Sequence, residues 1–162
     1  MSKLFATAGT KLHIGAALAS DGSDFDAADF TTGSPAWTEV GGTTNLGSAG
    51  DTAELITSNQ IAINRTRKAK GTRNAGSMQV VCDIDYADAG QLALIAAEKT
   101  PHSYMFRLTF NDAPPGGTPS IRYFVAFVMS AAEQLDEANN AMKLNVTLEI
   151  DSNIVRVAAA AG

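Results

Sequence analysis

The sequence predicts a mainly β protein, a β-sandwich or barrel of about seven or eight mostly antiparallel strands with one α-helix. Two patterns support this fold class. In several runs, polar and apolar residues alternate with the period of two that is typical of strands, most regularly over residues 141–150. A helical spacing of apolar residues is convincing in one stretch alone, residues 86–99.

The predicted strands follow this alternation along the chain. They lie at residues 11–18, 37–40, 77–84, 103–110, 120–129, 141–150 and 154–157. The run 120–129 is apolar on both faces beyond Tyr123, which predicts a central or doubly covered strand. In the run 141–150, the residues expected to point inward are Met142, Leu144, Val146, Leu148 and Ile150. His13 falls on the polar face of its strand, and we expect it to be exposed.

The helix is predicted over about residues 86–99. Asp85 is the expected N-cap, and Pro101 prevents continuation of the helix. Its expected apolar stripe consists of Leu92, Ile95 and Ala96, with Ala89 and Ala93 beside it. Because this stripe is narrow and rich in alanine, the helix is expected to lie close on a sheet without forming a core by itself.

Two acidic segments are expected to be loops. Residues 20–36 contain four aspartates, but their spacing does not match an EF-hand calcium loop, so a solvated acidic loop is predicted. Residues 131–140 are expected to form an irregular connection between two strands.

Composition narrows the classes of function. Only 18% of the residues are charged, which is low and typical of a chain that hides surface against other copies or partners. The net charge of −5 argues against general nucleic-acid binding through a basic face. The lone cysteine, Cys82, excludes an internal disulfide and is expected to be a small buried apolar residue. Trp37, the only tryptophan, is a possible anchor in the core or in an interface.

No constellation of catalytic residues is recognisable. The sequence has no Gly-x-Ser-x-Gly elbow, no His-Glu-x-x-His motif and no cluster of histidine, cysteine and aspartate. We therefore predict a protein that is not an enzyme, with no catalytic residues, no metal site and no cofactor. The N-terminus shows no signal-peptide pattern, and no window approaches a membrane span, so a soluble chain made in the cytoplasm is expected.

A basic segment interrupts this acidic chain. Five of the twelve lysine and arginine residues lie within nine positions: Arg65, Arg67, Lys68, Lys70 and Arg73. They belong to a stretch, residues 46–76, that is expected to be a long irregular loop. No phosphate-binding motif occurs in it. A loop that docks on an acidic surface of a neighbour is favoured, and a DNA-binding arm is the alternative.

The order of several short motifs resembles that of the major tail tube protein of long-tailed, lambda-like bacteriophages. The first motif is Trp-x-Glu-Val-Gly-Gly-x-Thr-x-Leu-Gly at residues 37–47, which leads into the long loop that ends in Lys70-Gly71. Gly-Ser-Met-x-Val follows at 76–80, and Asp-x-x-Asp-Ala-Gly-Gln-x-x-Leu at 85–94. The closing run is Lys-Leu-Asn-Val-Thr-Leu-Glu-Ile at 143–150. The resemblance covers roughly residues 35–155.

The resemblance implies one tail-tube domain over residues 1–162, a β-sandwich of two sheets with a flanking helix and an assembly loop at about 46–76. It implies a structural virion protein located in the tail. Six copies would form a ring, and stacked rings would form the tube through which DNA enters the host cell. The implied partners are further copies of the chain, the tape measure protein, the tail terminator and distal tail or baseplate proteins. No membrane-spanning segment is implied.

Two more specific expectations follow from the resemblance. Relatives use the long loop to contact the next ring, so Arg65, Arg67, Lys68, Lys70 and Arg73 are the expected ring-to-ring contacts. Genomic DNA should pass through the channel without tight binding, since six chains carry a net charge of −30 and the channel wall is expected to be poor in cations. Which residues line the channel is not predicted.

Two other functions stay open. A tube subunit of a contractile tail or of a type VI secretion-like injection system would share the fold. A ligand-binding β-sandwich module is the second alternative, although aromatic residues make up only 7% of the chain.

Overall fold

The computed structural model describes residues 2–162. In chain order its elements are β1 (Lys11–Ala17), α1 (Ala27–Thr31), β2 (Thr38–Glu39), β3 (Thr43–Asn45), β4 (Thr52–Ser58), β5 (Arg67–Asn74), β6 (Ser77–Asp83), α2 (Ala89–Glu98), β7 (Tyr104–Thr109), β8 (Ile121–Gln134), β9 (Lys143–Ile150) and β10 (Val155–Val157). The predicted mainly β fold with one flanking helix, α2, is confirmed, and each of the seven predicted strands is present.

Eight of the ten strands form one antiparallel sheet that folds over on itself, while β4 and β5 form a separate pair. Seven of them pair in the order β2-β1-β7-β8-β9-β6-β3, and β10 pairs with β8. The 14 residues of β8 let it serve both layers, because its first half pairs with β7 and its second half with β9. A register shift between Val128 and Ser130 marks the bulge at which the strand changes partner.

The main core lies between the two layers. Leu12 and Ile14 of β1 and Phe106 of β7 pack in one buried cluster with Val80 of β6 and Val146 of β9. The alternation along 141–150 therefore predicts the inward face correctly for four of its five residues: Leu144, Val146, Leu148 and Ile150. Met142 is 49% exposed because it precedes β9 and lies in the connection from β8.

A second apolar cluster covers the outer face of β7 and of the first half of β8. Phe30, Met105, Tyr123 and Val125 are buried in it. Phe30 belongs to α1, so the prediction of a wholly solvated acidic loop over residues 20–36 is wrong. Two of the aspartates stabilise the start of α1, because Asp26 is its N-cap and forms a capping box with Asp29.

The predicted helix starts too early. Its N-cap is Asp88 and not Asp85, and the helix covers Ala89–Glu98. Asp85 instead closes a turn, since its carboxylate accepts a hydrogen bond from the Ala87 amide at 2.9 Å. Asp88 accepts from the Gln91 amide at 2.9 Å and from the Gly41 amide at 3.0 Å, which ties the start of α2 to the connection between β2 and β3.

The predicted apolar stripe of α2 is also rotated from the true one. The buried residues are Gly90, Gln91, Leu94 and Ala97, whereas Leu92 is 46% exposed. The cause is close packing, because a Cβ on Gly90 would lie 2.1 Å from the Glu39 carbonyl oxygen. The helix therefore buries Gly90 and Ala97 beside Leu94 and Gln91, an arrangement that a hydrophobicity pattern does not predict.

The predicted irregular connection at 131–140 is partly wrong. β8 continues to Gln134, which pairs with Lys143 of β9, so the true connection begins at residue 135. The ladder of backbone hydrogen bonds extends the strand beyond the point at which its side chains stop being apolar.

Candidate assembly surfaces

The expected assembly loop is not irregular, because most of it is a two-stranded ribbon. β4 and β5 pair antiparallel and, within residues 2–162, they pair with each other alone. We call residues 52–74 the arm. The alternation of polar and apolar residues did not predict these two strands, for two reasons. A register shift between Ala53 and Leu55 breaks the period of two, and β5 carries four cations.

The arm has no core of its own. No residue between 52 and 74 is buried. Leu55 is 62% exposed, Ile56 is 52% exposed, and Ile61 at the end of the ribbon is fully exposed. Because an isolated two-stranded hairpin is marginally stable in water, such a ribbon gains stability by packing on another surface.

Both faces of the arm combine cations with aliphatic side chains. Directly paired residues in an antiparallel ladder point to the same face. Lys70 pairs with Leu55 and Lys68 with Thr57, whereas Ala69 pairs with Ile56 on the opposite face. Arg67 lies two residues before Ala69 and shares its face. The predicted contact residues are therefore divided between the two faces and do not form one basic patch.

The charge of the arm is opposite to that of the rest of the chain. Its five cations and one anion, Glu54, give a net charge of +4, so the remaining residues sum to −9. Arg73 pairs with Asp51 at 2.7 Å and fixes the base of the arm. The other four cations, Arg65, Arg67, Lys68 and Lys70, have no carboxylate within ion-pair distance among residues 2–162.

An exposed acidic segment comprises the end of β8 and the connection to β9. We call residues 133–142 the acidic tip, since they include Glu133, Asp136 and Glu137 and contain no lysine or arginine. Leu135, 54% exposed, adds an aliphatic side chain to this surface. The hydrogen bond from Tyr86 to Glu133 raises the pKa of the Tyr86 hydroxyl. The acidic tip thus offers charges and apolar surface that complement those of the arm.

The base of the arm and the acidic tip lie at opposite ends of the same pair of strands. β6 and β9 run antiparallel, with Ser77 opposite Glu149 and Asp83 opposite Lys143. The arm ends three residues before Ser77, and the acidic tip ends directly before Lys143. The length of β6 separates them by about 20 Å at the usual rise of a strand.

Trp37, the possible core or interface anchor, packs on the second apolar cluster. Its ring lies 5.9 Å from that of Tyr123, and the Arg107 guanidinium lies 5.0 Å above it. Gly15 makes room for the indole, because a Cβ at that position would lie 3.0 Å from the ring. Trp37 therefore anchors the segment before β2 to the sheet, and a role at a subunit interface stays a prediction.

A groove of about 460 Å³ bears on the ligand-binding alternative. Phe5, Leu46, Phe110 and Arg122 are among its lining residues. Two of its polar side chains have partners, since the Arg122 guanidinium lies 4.7 Å above the Phe110 ring and Asp112 accepts hydrogen bonds from Ser120. The groove combines apolar walls with further polar side chains, among them Thr7, Ser48 and Arg156, so the ligand-binding alternative stays a prediction.

The lone cysteine and the acidic and histidine side chains bear on catalysis and metal binding. Cys82 is fully buried, and burial raises the pKa of its thiol to about 11, so it is a poor nucleophile. Within residues 2–162, no three or more histidine, cysteine, aspartate and glutamate side chains are grouped so as to hold a metal ion. Neither helix of the described chain has the length and apolar character needed to cross a bilayer.

Comparisons with known proteins give structural neighbours. No protein-family model and no curated protein sequence matches this chain. It aligns with a chain of the anti-feeding prophage baseplate at a TM-score of 0.71 and 10% identity, over 98% of both chains. It aligns with the SPP1 tail tube at a TM-score of 0.58 and 15% identity, over 92% of this chain and 76% of that one. The chain therefore has the fold found in these tail-tube and baseplate subunits.

Proposed function

We propose that this protein is a structural subunit of a tail tube, in which six copies form a ring and rings stack around a channel. The observation on which the proposal rests is the arm, an exposed cationic ribbon on a body that has the fold of tail-tube subunits. The baseplate structure that aligns over nearly the whole chain is described as 6-fold symmetrised, which supports rings of six.

The placement of the arm and the acidic tip supports stacking in one direction. Two complementary surfaces at opposite ends of a subunit make a head-to-tail contact, and contacts of this kind propagate as an open filament. The arm of one ring would insert between acidic tips of the next, so that Leu55 and Lys68 on one face and Ile56 and Arg67 on the other are both covered. Each exposed ion pair contributes about 0–1 kcal/mol, but every ring repeats it six-fold in this proposal.

As a tail-tube subunit, the protein would reside in the virion and deliver DNA into the host cell. The tube would end on distal tail or baseplate proteins and on a tail terminator, and it would enclose a tape measure protein during assembly. A non-enzymatic role agrees with this function, because a tube subunit acts through its shape and its surface charge.

A tube subunit of a contractile tail or a type VI secretion-like injection system is the second candidate. The chain aligns more completely with the anti-feeding prophage baseplate than with the SPP1 tail tube. This difference supports the second candidate. Electron microscopy of native particles distinguishes the candidates, since a sheath around the tube is expected only for a contractile system.

Charge reversal in the arm tests the proposal. Arg67→Glu with Lys68→Glu should abolish tubes in negative-stain electron microscopy while leaving the circular dichroism and unfolding of the monomer unchanged. The matched control is Lys3→Glu with Lys99→Glu, which changes the net charge equally at exposed positions outside the arm. Tube formation by the arm variant at the wild-type yield would contradict the proposal.

The acidic tip is tested by restoring complementarity. The double variant Glu133→Lys with Glu137→Lys should by itself block stacking. Combined with the charge-reversed arm, it should restore stacking. Recovery is expected only if the two surfaces meet. A tip variant that stacks normally would show that the arm docks elsewhere.

A further inference from the structure

The two outer faces of the sandwich differ in what covers them. The outer face of β7 and of the first half of β8 is covered by the second apolar cluster, in which Phe30 stacks on Tyr123 with ring centroids 5.1 Å apart. On the opposite outer face, β6, β9 and the second half of β8 have no layer over them within residues 2–162. We call this second surface the open face.

The open face is polar and satisfies many of its own hydrogen bonds. Its side chains belong to Ser77, Gln79, Val81, Asp83, Phe127, Ser130, Ala132, Gln134, Lys143, Asn145, Thr147 and Glu149, none of which is buried. Thr147 donates to Gln79 at 3.0 Å, and Asn145 donates to Gln134 at 2.9 Å. The large apolar side chains of this surface are Val81 and the partly buried Phe127, with Met129 exposed at the bulge beside Ser130. Because polar side chains predominate, the open face gains little from packing against protein, and it should stay hydrated in an assembly.

The open face carries no cation available to a phosphate. Its one lysine, Lys143, is paired with Asp83, and Glu149 has no cation within ion-pair distance in the described chain. The net charge of the face is therefore −1 per subunit. A polyanion close to this surface would release no counterions by phosphate contact and would be weakly repelled, so it could slide without sticking.

We infer that the open face lines the channel of the tube and that a polyanion moves past it. This inference rests on the proposed function and names the surface that the channel presents. The face has the geometry that a channel wall needs, since β6 and β9 connect the end that bears the arm with the end that bears the acidic tip. Stacking through those two ends would place the open faces of successive subunits in one continuous surface.

Graded thiol labelling tests the assignment. Thr147→Cys places a reactive thiol in the middle of the open face, and Ala28→Cys places a matched thiol on α1, on the covered side. The native Cys82 does not interfere, because it is buried and its thiol pKa is raised. In monomers, both new thiols should react with a small maleimide and with a large polyethylene-glycol maleimide.

In assembled tubes, the cysteine at position 147 should still react with the small reagent but should lose most of its reaction with the large one. The thiol at position 28 should react with both. Reaction of position 147 with the large reagent in tubes would overturn the channel assignment, and so would loss of reaction with both reagents. Such tubes would still support the proposed function, whereas a wild-type protein that forms no tubes would overturn both. Gln79→Cys is the second variant if Thr147→Cys prevents assembly.

The nature of the sliding partner is tested by adding cations to the open face. Tubes that carry Thr147→Lys and Glu149→Lys should retain a double-stranded DNA fragment that wild-type tubes release, and the retention should fall as salt is raised. Tubes with Ala28→Lys are the control and should not retain the fragment inside. Equal retention by the control tubes, or none by the lysine-lined tubes, would overturn the polyanion assignment.

Discussion

The body of this protein and its arm are both antiparallel β-structure, yet only the body completes its own core. Phe106, Phe124 and Leu148 are fully buried between the layers of the body. In the arm, Leu55 and Ile56 lie on opposite faces of a ribbon that no other part of residues 2–162 covers. Strand pairing therefore occurs here without a core, and the contrast shows which part of the described chain buries no apolar side chain of its own.

The largest expected effect compares two leucines of equal size. Leu94→Ala should lower the free energy of unfolding of the monomer by about 2–5 kcal/mol, because it leaves a cavity where a fully buried side chain packs between α2 and the sheet. Leu55→Ala should change it by no more than about 0.5 kcal/mol. Denaturant unfolding of the two purified variants under conditions that keep the protein monomeric measures both values.

The same pair should show the opposite order in assembly. Leu55→Ala should reduce the yield of tubes, since the arm loses apolar surface that the proposed contact with the next ring would bury. If Leu55→Ala destabilised the monomer as much as Leu94→Ala, the arm would have intramolecular packing, and the contrast between the two regions would be wrong.

The sequence predicts the body well because burial imposes a period on it. Leu144, Val146 and Leu148 alternate with polar residues, since one side of β9 faces the core and the other faces solvent. The arm faces solvent on both sides, so no period distinguishes β4 and β5 from a loop. The five cations could be recognised as an assembly candidate by their density, but the ribbon that presents them could not.

Close backbone packing and local turns also escape sequence reasoning. Gly90 is buried because the backbone of the sheet lies close to it, and the residues next to it in the sequence do not predict that contact. The open face could have been found from the outward residues of the run 141–150, namely Lys143, Asn145, Thr147 and Glu149. Recognising that this face is uncovered required knowing that α1 covers the other outer face. The sequence did not predict α1, because it lies in an acidic segment with four aspartates.

A smaller effect is expected for a buried polar anchor of the body. The Gln91 side chain donates to the Gly41 and Asp83 carbonyls at 2.9 and 2.8 Å and accepts from the Asp85 amide at 3.0 Å. Gln91→Ala should lower the free energy of unfolding by about 1–3 kcal/mol, because it leaves these backbone groups without their partner. Calorimetry should detect the shift in the unfolding temperature.

The matched control for this anchor is Gln79→Ala on the open face. Gln79 is exposed, and its hydrogen bond with Thr147 can be replaced by water, so a change within about 0.5 kcal/mol is expected. Equal losses in the two variants would mean that the open face contributes to folding as strongly as the anchor of α2 does.

The smallest expected effect concerns His13 on β1. The alternation predicts an exposed side chain, and that prediction is wrong in part, because the residue is only partly exposed and its Nδ1 is buried without a hydrogen-bond partner among residues 2–162. Burial is the main cause that lowers the pKa of His13 below 6.5, and the nearby Arg107 adds to it, while Glu39 acts in the opposite direction and Lys11 lowers it slightly. The folded body therefore favours the neutral imidazole.

A lowered histidine pKa gives a pH dependence of defined sign. The unfolded chain binds the proton more readily than the folded chain between the folded pKa and 6.5, so His13 should reduce stability as the pH falls through this window and should have no effect well above 6.5. Partial exposure limits the effect to less than about 1 kcal/mol. Chemical unfolding at pH values on both sides of 6.5 should show that wild-type protein loses more stability on acidification than His13→Gln does.

His102 is exposed, and His102→Gln should behave like wild type in the same measurement. An equal acid loss in His13→Gln and wild type would show that the imidazole is not held neutral by the body, and that the acid sensitivity comes from carboxylates alone.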